Sequence, residues 1–142
     1  MNRRAGRELA FQMLFASAFW GDDADNAGRK VIKTSKAEQE ICQFATQLFE
    51  GTIKRLLEID ELISSKLNHW RLNRLHLIDR SIIRLAVFEI LYFDDTPTSV
   101  AIDQAVRLGK KFGGDESGRF INGILGGIMR GINKDNEEKT GN

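Results

Sequence analysis

Apolar positions along this chain recur with the 3.6-residue period of an α-helix, and alternation of period two is scarce. The pattern is sharpest between Pro97 and Ile128. Ala101, Ala105, Leu108 and Phe112 stand at i, i+4, i+7 and i+11, which is one face of a helix. Pro97, Thr98 and Ser99 supply its start, because Pro cannot continue a preceding helix and hydroxyls cap orphan amides. Gly113-Gly114 supplies the stop, since glycine suits the left-handed conformation that closes a helix. Ile121, Leu125, Ile128 and Ile132 repeat the spacing and predict a second helix, with Asp115 or Ser117 as its N-cap. The period runs through Asn122-Gly123 and overrides the hairpin turn that this pair forms alone. Gly123, Gly126 and Gly127 each cost a helix roughly 1 kcal/mol against Ala. They predict close approach of another backbone.

Residues 3 to 19 form the first predicted helix, with Leu9, Met13 and Ala16 as its core stripe and Ala5 behind. Residues 21–35 are polar, carry an acidic run and lack a period, which predicts the longest loop. Ser35 and Glu38 offer a capping box for the next helix, whose buried stripe is Ile41, Phe44, Ala45, Leu48 and Phe49. Gly51 marks a break or kink, and Ile53, Leu56, Leu57, Asp60 and Ile63 restart the pattern. Lys54, Arg55, Glu58 and Glu61 make a solvated face. Asn68 to Asn73 joins the two halves, with Trp70 as a core anchor. Asp79 is the expected cap of a helix reaching Phe93. The wide stripe of Ile83, Ala86, Val87, Ile90 and Leu91 makes it the central buried helix. Arg80 and Arg84 share one of its sides. Glu89 stands among apolar residues and needs a partner, for which an Arg of the same chain is the default. Residues 1–134 read as one domain, and residues 135–142 as a charged, disordered tail.

Composition then narrows the class. A chain of 142 residues buries about two-thirds of its unfolded surface as one domain. An apolar share of 42% and a charged share of 29% describe an ordinary globular protein. The net charge of +1 supplies no global field, so any basic surface is local. Cys42 is the single cysteine, which excludes an internal disulfide and fits a reducing cytoplasm. It lies beside the stripe of Ile41, Phe44, Ala45, Leu48 and Phe49 as a buried, inert thiol. No stretch approaches the ~18 apolar residues of a membrane span, and no apolar signal segment follows Met1-Asn2-Arg3-Arg4.

No catalytic set stands out. His69 and His76 are separated by an interrupted region and have no cysteine nearby, a poor metal site. GKKFGG has the Gly and Lys of a phosphate loop in the wrong order and without a preceding strand. These absences point away from an enzyme, a metal or a cofactor and toward a binding module. The first helix carries the main candidate. Projected at about 100° per residue, Arg3, Arg4, Arg7, Phe11, Leu14 and Phe15 fall together, opposite the core stripe. Three Arg in the first turns oppose the helix dipole, so propensity does not explain them. Arginines beside aromatic rings suit single-stranded nucleic acid, where Arg takes phosphates and rings stack on bases. A solvated N-terminus whose Phe side chains enter the core is the other reading.

VAIDQAV, KKFG and GRFINGIL, at this spacing, resemble the C-terminal signature of the NusB family of transcription antitermination factors. The resemblance extends back through HWRLNRLHLIDRSIIRLAVFEI to the Arg-rich N-terminus and covers nearly the whole chain. It implies an all-α fold of about seven helices in two roughly perpendicular bundles. It implies a cytoplasmic factor without enzymatic activity. Such a factor pairs with NusE, a small-subunit ribosomal protein, and binds the boxA element of nascent RNA. It then joins NusA and NusG on RNA polymerase to suppress termination, chiefly in ribosomal RNA operons. The implied RNA-facing residues are Arg3, Arg4, Arg7, Phe15, Lys110, Lys111, Glu116 and Arg119. The implied partner-facing residues are Asn73, Asp79, Phe88 and Phe120. Asp103-Gln104 departs from the family's usual Asn-Glu, Gly6 interrupts the Arg-rich helix, and GGIMRG is unusually rich in glycine. Two rivals remain at this point. One is a homodimeric helical adaptor without RNA, and the other is the RNA-binding domain of a ribosomal RNA methyltransferase.

Overall fold

The computed structural model describes residues 2–67, 72–93 and 95–140, with side chains described as far as Ile132. Among the described residues there are seven α-helices and no strand. They are α1 (Arg3–Phe19), α2 (Ala24–Thr34), α3 (Gln39–Lys54), α4 (Leu56–Ser65), α5 (Leu77–Tyr92), α6 (Thr98–Gly113) and α7 (Asp115–Thr140). Single 3-10 turns lie at Gly21–Asp23 and Leu72–Arg74.

The layout follows from which helices are apolar all round. In α5, Ile82, Ile83, Leu85, Ala86, Val87 and Phe88 are buried, so it has almost no solvent face. α1, α3, α4, α6 and α7 all pack against it. α1 is nearly as enclosed, lying against α2, α3 and α5. One continuous core runs from Leu9, Met13 and Phe49 through α5 to Leu108, Ile121 and Leu125.

The start and stop of α6 fall where the sequence puts them, although Pro97 is the N-cap and, among the described residues, no hydroxyl caps the helix. Other local contacts fix α1 and α7. The carbonyl of Pro97 accepts from the amides of Val100 and Ala101, both at 3.0 Å, and α6 begins there. Gly114 closes α6 at φ +97° and donates to the Lys110 carbonyl at 3.2 Å. Asn2 caps α1 by accepting from the Ala5 amide at 3.0 Å. The tightest crossing of α6 and α7 is built from glycine. A Cβ on Gly109 would lie 3.3 Å from the Gly118 backbone and 2.6 Å from Ile121 Cδ1.

Other expectations are corrected. Residues 24–34 are helix α2 rather than loop. Val31 and Ile32 pack on the core, and Gly28 is buried under the Phe49 ring. Ser35 does not cap α3: its hydroxyl accepts from the Ala37 amide at 3.1 Å, and α3 starts only at Gln39. Gly51 does not break α3, because the Phe88 ring packs over it and needs the missing side chain. The break falls at Arg55 and shifts the phase of α4. Ile59 and Ile63 are therefore buried while Leu57 is 76% exposed. Asp60, expected in that stripe, instead pairs with Arg84 at 2.8 Å. Asp79 lies inside the first turn of α5, whose cap is His76. Among the described residues Gly123, Gly126 and Gly127 meet no other backbone: a Cβ at Gly123 would have open space, and the other two face Arg130. Trp70, His69, Asn68 and Asp94 lie outside the described residues.

Candidate nucleic-acid interface

The three N-terminal arginines have three different environments. Arg3 lies over aromatic rings, its guanidinium carbon 4.9 Å from the Phe44 centroid and 5.9 Å from that of Phe93. Arg7 turns inward and is 7% exposed. Its Nε donates to both Glu89 oxygens at 2.9 and 3.0 Å, and its Nη2 donates to Glu89 Oε2 at 2.7 Å. Glu89 thus has the arginine partner that its apolar surroundings demand. Arg7, expected to face RNA, lines the same groove as Arg4, but its Nε and Nη2 are committed to the buried Glu89 carboxylate. Arg4 remains exposed, with no ion pair among the described residues.

Arg4 opens onto a groove of about 250 Å³ between α1 and α6. Glu8, Gln104, Arg107 and Lys111 share its walls, above Leu108. Arg4, from the N-terminal end, therefore meets Arg107 and Lys111, whereas Arg3 and Lys110 lie outside the groove. Both α6 cations are already held by carboxylates: Lys111 by Glu8 at 2.9 Å, and Arg107 by Asp103 at 3.1 Å. Lys110 points the other way, and its stem crosses Gly118 at the start of α7. Arg119 is exposed. Gln104 was not among the expected site residues, and as a lone uncharged side chain it gave no signal.

An aromatic run follows α1. Phe11 is buried, with its centroid 4.8 Å from Phe112 and 6.1 Å from Phe15. Half-buried Phe15 stacks with Phe19 at 6.5 Å and 18°. Phe19 and Trp20 are 64% and 62% exposed and were missed as a surface feature. The i,i+4 spacing of Phe11, Phe15 and Phe19 was the available signal.

A second cavity of about 550 Å³ lies where the starts of α5 and α7 meet the end of α6. Ile78, Phe112 and Phe120 give it apolar walls, and Arg74, His76, Asp79 and Glu116 give it polar ones of both signs. Asp79 is 4% exposed, and among the described residues its Oδ1 has no hydrogen-bond partner. An unpaired buried acceptor costs about 1–3 kcal/mol, so this group is poised for a donor. Glu116, expected near RNA, belongs to this cavity. Asn73 is exposed on the turn beside it. Phe88, expected at a partner surface, is instead core: it covers Gly51 and stacks on Tyr92 at 5.9 Å. Arg80, on the next turn of α5, has its guanidinium pushed below the ordinary value by burial first and by the Arg84 charge second.

Among the described residues no group of three or more His, Cys, Asp and Glu is placed to hold a metal, and no helix is long and apolar enough to cross a membrane. The fold and surface define a helical binding module, with a basic groove and a polar, aromatic cavity. The NusB family model matches residues 4–130. The NusB transcription antitermination protein of Pelotomaculum thermopropionicum is 43% identical over 129 residues, covering 91% of this chain and 90% of that one. Its counterpart in Bacillus velezensis is 39% identical, over 93% of this chain and 98% of that one. The structure of T. maritima NusB superposes with a TM-score of 0.83 at 35% identity, covering 92% of each chain. A structure of antitermination factors NusB and NusE in complex with double-stranded RNA shares the fold, with a TM-score of 0.81 at 24% identity over 91% of this chain and 96% of that one. The chain belongs to the NusB family.

Proposed function

We propose that this protein acts in transcription antitermination by binding the boxA element of nascent ribosomal RNA together with NusE. The observation that carries this reading is the groove in which Arg4, Arg107 and Lys111 converge from opposite ends of the sequence. Clustered cations on a chain of net charge +1 need a local reason, and phosphates supply one. Phe15 offers a ring to an unstacked base. The cavity around Asp79 suits a basic group of NusE: a cation entering between Phe112 and Phe120 would satisfy the orphaned oxygen and meet aromatic faces. Family membership supports the role, and the fold neighbour held with NusE and double-stranded RNA supports the two partner classes. In the cytoplasm the heterodimer would join NusA, NusG and RNA polymerase.

The test is co-purification with NusE, followed by titration of boxA RNA. Binding of the pair to boxA over a scrambled RNA is the expected result. A stable homodimer that takes neither NusE nor RNA overturns the reading.

A further inference from the structure

The basic groove contains its own anions. Lys111 Nζ lies 2.9 Å from both carboxylate oxygens of Glu8. Arg107 Nε donates to Asp103 Oδ2 at 3.1 Å. These two pairs differ in kind. Asp103 and Arg107 are i,i+4 neighbours on the exposed side of α6, and helix surface chemistry explains them. Glu8 and Lys111 join α1 to α6 across 103 positions of sequence. Glu8 is half-buried in the groove wall beside Arg4.

We infer that Glu8 is an internal substitute for an RNA phosphate and sets how tightly the groove holds any nucleic acid. The inference rests on the RNA reading above. Carboxylate and phosphodiester are both acceptor-only anions, and one ammonium cannot give its best donors to both. A phosphate entering beside Lys111 must displace Glu8 or sit next to its charge. Phosphate contacts carry no sequence information, so this opposition falls on every RNA alike. Generic polyanions, which bind through charge, are thereby held weakly. Discrimination is left to stacking on Phe15 and to the protein partner. Without Glu8 the same groove would bind any RNA more tightly through charge.

The test uses the full chain with NusE, and fluorescent boxA and scrambled RNAs of equal length, over a range of salt concentrations. An exposed ion pair is worth up to about 1 kcal/mol, so Glu8→Gln should tighten both RNAs by up to about fivefold at low salt. The log–log salt slope should steepen by about 0.7, the value of one added single-strand phosphate contact. In a Lys111→Gln background the gain should vanish. Unchanged or weaker binding by Glu8→Gln, at an unchanged melting temperature, overturns the inference, because Glu8 would then merely position Lys111. A gain that persists without Lys111 also overturns it. If the parent binds neither RNA at any salt concentration, the RNA reading itself fails and takes this inference with it.

Discussion

Replacing Arg7 with Ala should unfold the protein far more readily than replacing Arg4. Arg7 gives Glu89 three hydrogen bonds of 2.7–3.0 Å, and Glu89 is 2% exposed. Removing the guanidinium leaves a carboxylate buried among α5 side chains without a counter-charge. Breaking a buried pair in this way costs about 3–5 kcal/mol. At this chain length each kcal/mol moves the melting temperature by roughly 4 °C, so a fall of about 12–20 °C is expected. The double variant Arg7→Met/Glu89→Leu should recover most of that loss, because apolar side chains of similar volume often replace a buried ion pair without penalty. The assay is calorimetric melting of the parent, both single variants and the double. If Arg7→Ala stays within about 1 kcal/mol of the parent and loses RNA binding instead, Arg7 faces RNA and the buried pair is wrong.

Three further outcomes are expected. Gly123→Ala should raise stability by about 1 kcal/mol in urea unfolding, since its Cβ would meet nothing within 4 Å. Asp79→Asn should leave stability within about 1 kcal/mol, as relief of desolvation opposes the lost helix-dipole attraction. It should weaken NusE binding by at least about 1 kcal/mol in calorimetry. Tyr92 is held above its ordinary value of 10.0 by the hydrogen bond to Glu58 first and by desolvation second. A raised value in the folded state means that this stabilisation is present below pH 10.0 and is lost as pH rises through the folded value. Tyr92→Phe should therefore flatten the alkaline limb of a stability–pH curve.

The sequence pattern reveals the fold where one stripe meets one neighbour. α6 is such a case: Pro97, the Ala101–Phe112 stripe and Gly114 all act locally, and all appear in place. Glu89 is legible for another reason, since a carboxylate on an apolar helix leaves few options. α1 defeats the same logic because α2, α3 and α5 surround it. A projection that assigns one core side and one free side puts Arg7, Phe11 and Leu14 on a surface, yet all three are buried. Helix α2 was hidden because its packing position is Gly28, which carries no hydrophobic signal. Asp79 and Glu116 share one cavity only through the crossing of α5, α6 and α7, which spacing along the chain does not encode.

The central claim is that the α1–α6 groove holds RNA phosphates through Arg4 and Lys111. Titration of fluorescent boxA RNA, with NusE present and at several salt concentrations, tests it most directly. The double variant Arg4→Ala/Lys111→Ala should melt close to the parent, because both side chains are exposed. Its affinity should fall, and its log–log salt slope should flatten by about 0.7 for each phosphate that is no longer held. If the variant binds boxA like the parent at every salt concentration, the groove is not the RNA site.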